Sequence, residues 1–125
     1  MKVYLSGGMH SGWQDIVKAR IPFECIGPRD HGLSDWKEYV PADIIAIRHC
    51  DAVFAYMENS NPGGQGLCAE VGYAAGLGKT VVVVDETPHR YMALTRGMAD
   101  IWFDNLDAGI EYMVALGKLL DDKTL

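Results

Sequence analysis

The chain has 125 residues, a formal net charge of −6 and a sequence pI near 5.0. That acidic balance argues against a nucleic-acid polymer as partner, because phosphate backbones are held by basic surfaces. Hydrophobic content of 49% with 22% charged residues is that of an ordinary globular protein with one core, so one domain over residues 1–125 is expected. No apolar run nears the ~20 residues of a membrane span, and the short stretch Val3 to Leu5 is not a secretory segment. A cytoplasmic location is the default. Cys25, Cys50 and Cys68 are an odd number without a CxxC and read as free thiols. His10, His31, His49 and His89 are scattered without metal-ligand spacing, so no metal is expected.

In chain order, Lys2 to Ser6 reads as a first strand closed by Gly7-Gly8. Ser11 is placed to cap a helix through Trp13, Ile16 and Val17 to Arg20, which Pro22 ends. Phe23 to Ile26 is a second strand. The loop Gly27-Pro28-Arg29-Asp30-His31-Gly32 leads into a polar stretch to about Tyr39. Pro41 suits the first turn of a helix, with Ile44, Ile47 and Ile45 toward one face and Asp51 at its close. Ala52 to Met57 is a third strand, apolar throughout and so buried on both faces. A glycine-rich loop from Glu58 to Gly66 precedes a helix to Leu77 and a fourth strand, Thr80 to Val84. A helix from Pro88 to Met98, a fifth strand from Ile101 to Phe103 and a final helix from Asn105 to Leu120 complete the series. Strands alternating with helices predict an α/β fold: a three-layer, doubly wound, five-stranded parallel sheet of order 2-1-3-4-5. Ligands of such sheets sit at the carboxyl ends of the strands where the order reverses, here beside Ser6-Gly7-Gly8 and the Glu58 to Glu70 segment.

That segment carries the chemistry. Gly63-Gly64-Gln65-Gly66 opens a helix with free backbone N–H groups, which suits an anion or a close-lying ligand, or else a plain flexible turn. Glu70 falls in about the first turn of that helix, among small and apolar residues, where the helix N-terminus favours its ionised form. It reads either as a nucleophile facing the crevice or as a carboxylate that bonds the loop or pairs with Arg48 or Arg96. Asp43, near the start of the preceding helix, is either a second working carboxylate or a complement to the helix dipole. Ser6, Gly7, Gly8 and Met9 form a candidate cradle for a sugar, without the GxGxxG of a dinucleotide site. Trp13 either stacks on a base or belongs to the core. Gly78-Lys79-Thr80 is not a P-loop, since it ends a helix before a strand; Gly78 reads as a helix C-cap. Cys68 reads as an inert thiol.

The chain resembles the nucleoside 2-deoxyribosyltransferase superfamily, which also contains 2-deoxynucleoside 5-monophosphate N-hydrolases. The matching residues are Tyr4-Leu5-Ser6-Gly7-Gly8, Ala42-Asp43-Ile44-Ile45-Ala46-Ile47, Cys50-Asp51-Ala52-Val53, Gly66-Leu67-Cys68-Ala69-Glu70-Val71-Gly72-Tyr73-Ala74 and Leu94-Thr95-Arg96-Gly97-Met98-Ala99-Asp100. The resemblance implies cleavage or transfer of the N-glycosidic bond of a 2-deoxynucleoside or its 5-monophosphate. It implies Glu70 as nucleophile at C1 of the deoxyribose, Asp43 and Tyr4 as further catalytic residues, and substrate contacts from Ser6, Gly7, Gly8, Met9, Trp13, Asn61, Gly64 and Gly66. It also implies no cofactor, a small-molecule nucleoside or nucleotide partner, and a homodimer or larger homo-oligomer whose neighbour completes the site. Gly64 stands where the transferases carry an aspartate and the hydrolases a serine, and Met92 stands where the hydrolases carry a phosphate-contacting serine. That departure keeps a non-catalytic nucleotide-binding module as the alternative. Pro62-Gly63-Gly64-Gln65-Gly66-Leu67-Cys68-Ala69-Glu70 is also similar to the PGGxGTxxE motif of the cytokinin-activating phosphoribohydrolases, with Leu67 for threonine.

Overall fold

A computed structural model describes residues 1–28, 30–61, 63–87 and 91–124, with side chains as far as Asp121. Five parallel strands, β1 (Lys2–Gly7), β2 (Glu24–Ile26), β3 (Ala52–Met57), β4 (Thr80–Asp85) and β5 (Ile101–Phe103), form one sheet of order β2-β1-β3-β4-β5. This is the predicted order. In register, Val3 to Gly7 of β1 lie beside Ala52 to Tyr56 of β3, and Ala52 to Met57 lie beside Thr80 to Asp85 of β4.

The period-2 alternation of a strand divides the core in two. Val3, Leu5, Phe54, Tyr56, Val82 and Val84 pack on one face against α1 (Trp13–Arg20) and α5 (Leu106–Thr124), through Trp13, Val17, Ile110 and Met113. Tyr4, Val53, Ala55, Met57, Val81 and Val83 pack on the other against α2 (Trp36–His49) and α3 (Gln65–Gly76), through Ile47, Leu67, Val71 and Ala74. The short α4 (Ala93–Met98) lies beside α3. Both faces of β3 and β4 are covered, which is why their sequences are continuous apolar runs. Among the described residues no helix is long and apolar enough to cross a membrane.

Several local expectations change. α2 starts at Trp36, not at Pro41, because the Asp35 carboxylate accepts the Lys37 N–H (3.0 Å) and caps the helix earlier. Pro41 therefore lies inside the helix, where its missing N–H forgoes one backbone bond. Asp43 is thus mid-helix. Ile47 alone of the three isoleucines is buried; Ile44 and Ile45 remain exposed. α1 begins after Gly12, while Ser11 Oγ accepts the Trp13 N–H at 3.4 Å from one residue further out. The helix expected from Pro88 is observed as α4 from Ala93, and Pro88 to Arg90 lie outside the described residues. At the end of α3, Gly78 adopts a positive φ of 74°. Gly78 N–H bonds the Ala75 carbonyl and Lys79 N–H the Ala74 carbonyl, the paired bonds of a Schellman stop.

Candidate active site

Strand alternation sets the first part of the site. Tyr4 and Ser6 are two residues apart on β1 and so face the same side, toward α3. Each reaches one oxygen of the same carboxylate. Tyr4 OH donates to Glu70 Oε2 at 2.6 Å, and Ser6 Oγ donates to Glu70 Oε1 at 2.7 Å. Both donors are 0% exposed. Glu70 is partly buried and opens on its other side to a cleft of about 690 Å³, within the range of small-molecule sites.

Glu70 belongs to the second turn of α3, which carries no acidic residue in its first turn. The dipole effect fades within one turn, so the expected assistance from the helix end is not what governs this carboxyl. Burial pushes it above the ordinary range, the bonds from Tyr4 and Ser6 pull it down, and the charge of nearby Asp43 raises it further. The Tyr4 phenol is driven far above its ordinary value, first by burial and then by Glu70, and so remains a donor throughout the working range. The proposed ion pairs of Glu70 do not form. Arg48 Nε donates to Tyr73 OH, and Arg96 lies 3.3 Å from Asp85 while its guanidinium stacks over Trp102.

The opposite wall comes from α2 and the loop before it. Asp43 points into the cleft beside Tyr39, Val40 and Ile44. His31, from the β2–α2 loop, lies 2.9 Å from Asp43 Oδ1 through Nε2, and its Nδ1 accepts the Leu33 N–H at 3.0 Å. A backbone N–H can only donate, so Nδ1 is bare and Nε2 carries the proton toward Asp43. Sequence reading passed over His31, because no motif joins it to Asp43 twelve residues on. Its one signal was its place in a loop at the carboxyl end of a strand, where this fold builds sites.

Gly7, Met9 and Gly66 also line the cleft. Gly8, Trp13, Asn61 and Gly64 do not, and each has a structural task. Trp13 is a core residue, 2% exposed and packed on Phe54 and Tyr56, so stacking on a base is ruled out for it. Its Nε1–H and the Gln14 amide both donate to the Gly8 carbonyl at 2.9 Å, which holds the first loop in place. Asn61 Oδ1 accepts the Gly63 N–H at 3.1 Å. Gly64, the N-cap of α3, has φ 113°, and a Cβ there would lie 2.6 Å from Met57 Cε. A side chain at this position would strain the backbone and displace the Met57 thioether. Cys25 and Cys50 are free, with thiols pushed up to about 11 mainly by burial, and Cys68 is free with its Sγ against Met92 Sδ. Among the described residues no group of three His, Cys, Asp or Glu is gathered as a metal site.

Comparison with known proteins shows the family and the fold. The family described as "Nucleoside 2-deoxyribosyltransferase" matches residues 4–121. A 2-deoxyribosyltransferase from Bacillus psychrosaccharolyticus superposes with TM-score 0.73 at 19% identity, covering 86% of this chain and 89% of its own. A 2-desoxiribosyltransferase from Leishmania mexicana gives 0.66 at 24% identity over 91% and 97%. A CMP N-glycosidase from Clostridium botulinum gives 0.60 at 16% identity over 94% and 98%. At these identities the likeness is one of fold. No curated protein matches the sequence.

Proposed function

The chain belongs to the nucleoside 2-deoxyribosyltransferase family, and from that premise we propose that it cleaves or transfers the N-glycosidic bond of a 2-deoxynucleoside or its 5-monophosphate, with Glu70 as nucleophile. The observation that carries this reading is the clamp on Glu70: two buried hydroxyls hold both its oxygens while the carboxylate faces a cleft shared with Asp43. A carboxylate so held is oriented before substrate arrives. The bond from C1′ to the base nitrogen breaks as a Glu70 oxygen forms a C1′–O bond, and the base leaves with the electron pair and takes a proton from solvent. The departing charge leaves the sugar oxocarbenium-like, and the adjacent anion stabilises it.

Asp43 orients the base. His31 occupies Oδ1, which leaves Oδ2 to accept an N–H of the base edge. Water or a second base then attacks C1′, breaks the ester and returns the carboxylate of Glu70. No cofactor takes part. The acceptor decides between hydrolysis and transfer, and the open cleft admits either. A homodimer is part of the same proposal: α2 leaves Trp36, Val40 and Ile45 exposed near the cleft, a surface that a second copy would cover. Light scattering that gives a monomer mass at assay concentration would remove that element.

The test is base release from a panel of deoxynucleosides and deoxynucleotides, with and without a free acceptor base. Rapid quench and peptide mass analysis should find deoxyribose esterified to Glu70. Turnover that survives Glu70→Ala would sink the mechanism. Tight nucleotide binding without release, unchanged in Glu70→Gln, would show a binding module instead.

A further inference from the structure

Tyr73 follows Glu70 by three residues on α3, so both side chains leave the same face of the helix and line the same cleft. Its ring is half-buried and packs on the core cluster that contains Ile47 and Leu67. The ring reaches from one helical wall to the other. At its far end Arg48 of α2 donates from Nε to the Tyr73 oxygen at 2.5 Å, and the guanidinium carbon lies 5.9 Å from the ring centroid. Arg48 is held in turn at the close of α2, where its backbone carbonyl accepts from Lys79 Nζ at 2.9 Å. A guanidinium has no acceptor, so in its bond with Arg48 the phenol oxygen accepts. The Tyr73 O–H proton is therefore directed elsewhere, and it meets no acceptor among the described residues. A hydroxyl that accepts from a cation is also the stronger donor, because hydrogen bonds in a chain polarise one another.

We propose that Tyr73 is a specificity-determining residue: Arg48 fixes its hydroxyl as a donor, and that donor meets an acceptor atom of the base, a ring nitrogen or a carbonyl oxygen. The identity of the ligand rests on the glycosidic reading; the free donor rests on geometry. Displacement at C1′ sends the base away from the attacking Glu70 oxygen and so toward α2. The Tyr73 hydroxyl is the end of that side chain that lies at α2. Asp43 presents an acceptor on the same wall, so the two groups together read a base edge that offers both a donor and an acceptor. Ile44, Ile47 and Leu67 line the cleft between them and Glu70, an apolar surface that suits the flat faces of a heterocycle. The bond to Tyr73 strengthens as the base gains the electron pair of the breaking glycosidic bond, so it acts in the transition state more than in the ground state. Arg48 does not touch the base and is a positioning residue.

The test uses the whole protein and a panel of deoxynucleosides, each analogue lacking a single ring nitrogen or carbonyl oxygen of the parent base. One deletion should lower wild-type kcat/KM about tenfold, the loss of one hydrogen bond. Tyr73→Phe should lose about tenfold on the parent and be indifferent to that same deletion. Arg48→Met should behave like Tyr73→Phe, and Arg48→Lys, which keeps a cationic donor, should recover part of the discrimination. Phenylalanine retains the ring, and Arg48 is exposed with its carbonyl bond to Lys79 untouched by substitution, so both variants keep the packing, which urea melts check. A merely structural role would lower activity on every analogue alike and leave the discrimination intact. Equal response of wild type and Tyr73→Phe to every deletion overturns the proposal, and an Arg48→Met protein that discriminates as sharply as wild type overturns the part assigned to Arg48. If no deoxynucleoside releases its base, the glycosidic reading falls, and calorimetric binding of the same panel decides for Tyr73. A Kd that depends on one acceptor in wild type and not in Tyr73→Phe leaves the donor standing; a Kd indifferent to every deletion overturns it as well.

Discussion

Replacing Tyr4 by phenylalanine removes one oxygen from the interior and nothing else. The ring is 0% exposed and packed in the sheet core, so phenylalanine fills the same space and leaves no cavity to collapse. The loss is confined to the 2.6 Å bond to Glu70 Oε2. A hydrogen bond to a charged acceptor contributes about 1.5–3 kcal/mol. Because the phenol donates to the ionised carboxylate, that energy is withdrawn from the charged form alone. Its loss therefore raises the Glu70 carboxyl further above the ordinary range. Burial already holds it above the ordinary range, and Tyr4 is the larger of the two bonds opposing that rise. Attack on C1′ needs the carboxylate, so activity is lost as pH falls through the folded value. A higher folded value moves that loss to higher pH. The acid limb of kcat/KM, which reports the free enzyme, should therefore move to higher pH in Tyr4→Phe. The assay is base release from pH 4 to 9, with urea melts confirming the fold. A limb that stays in place, or moves down, would refute the view that the Tyr4 hydroxyl keeps Glu70 ionised. Ser6→Ala should move the limb in the same direction by a smaller step.

Glu70→Gln should abolish turnover yet stabilise the fold at pH 8. Because the folded carboxyl lies above its unfolded value, wild-type stability falls as pH rises through the window between the two; urea titrations of both proteins should show the variant's advantage vanish on acidification below the unfolded value. Gly64→Ala should cost about 1–3 kcal/mol, since φ 113° strains an L residue and Met57 must move. Gly76→Ala, in α3 with nothing near the new methyl, should gain about 0.5–1 kcal/mol; chemical denaturation gives both, and a neutral Gly64→Ala would remove the steric account of that position. Trp13→Phe deletes the donor to the Gly8 carbonyl, should cost about 1–2 kcal/mol, and should raise KM through the loosened first loop more than it lowers kcat.

How much of this was legible beforehand divides along a physical line. Local pattern, in which a residue's neighbours in sequence are also its neighbours in space, could be read directly. The apolar runs Ala52 to Met57 and Thr80 to Val84 announced strands covered on both faces, and their alternation with helices suited the doubly wound order that the structure shows. Gly78 announced the stop of α3 by the same local logic. Where local signals competed, the stronger was missed: the Asp35 cap outweighed Pro41, so α2 begins more than a turn early and Asp43 sits mid-helix.

The site itself lay beyond such patterns, because its contacts cross long stretches of chain. Tyr4 and Ser6 meet Glu70 across 66 and 64 residues, and only the pairing of β1 with β3 and the packing of α3 over them bring the three together. His31 carried no motif, yet the turn of the β2–α2 loop sets it between Asp43 and the Leu33 amide. Trp13 had two readings as a residue, and the packing of Phe54 and Tyr56 decided between them. Gly64 looked like a missing functional group until its positive φ and the Met57 thioether showed what a side chain there would strain and displace. The sequence by itself determined the layers and the run of strands and helices, since these follow from periodicity and turn chemistry. Tertiary structure alone decided what holds the Glu70 carboxylate and which histidine meets Asp43, since hydrogen-bond partners depend on distance in space and not on separation in sequence.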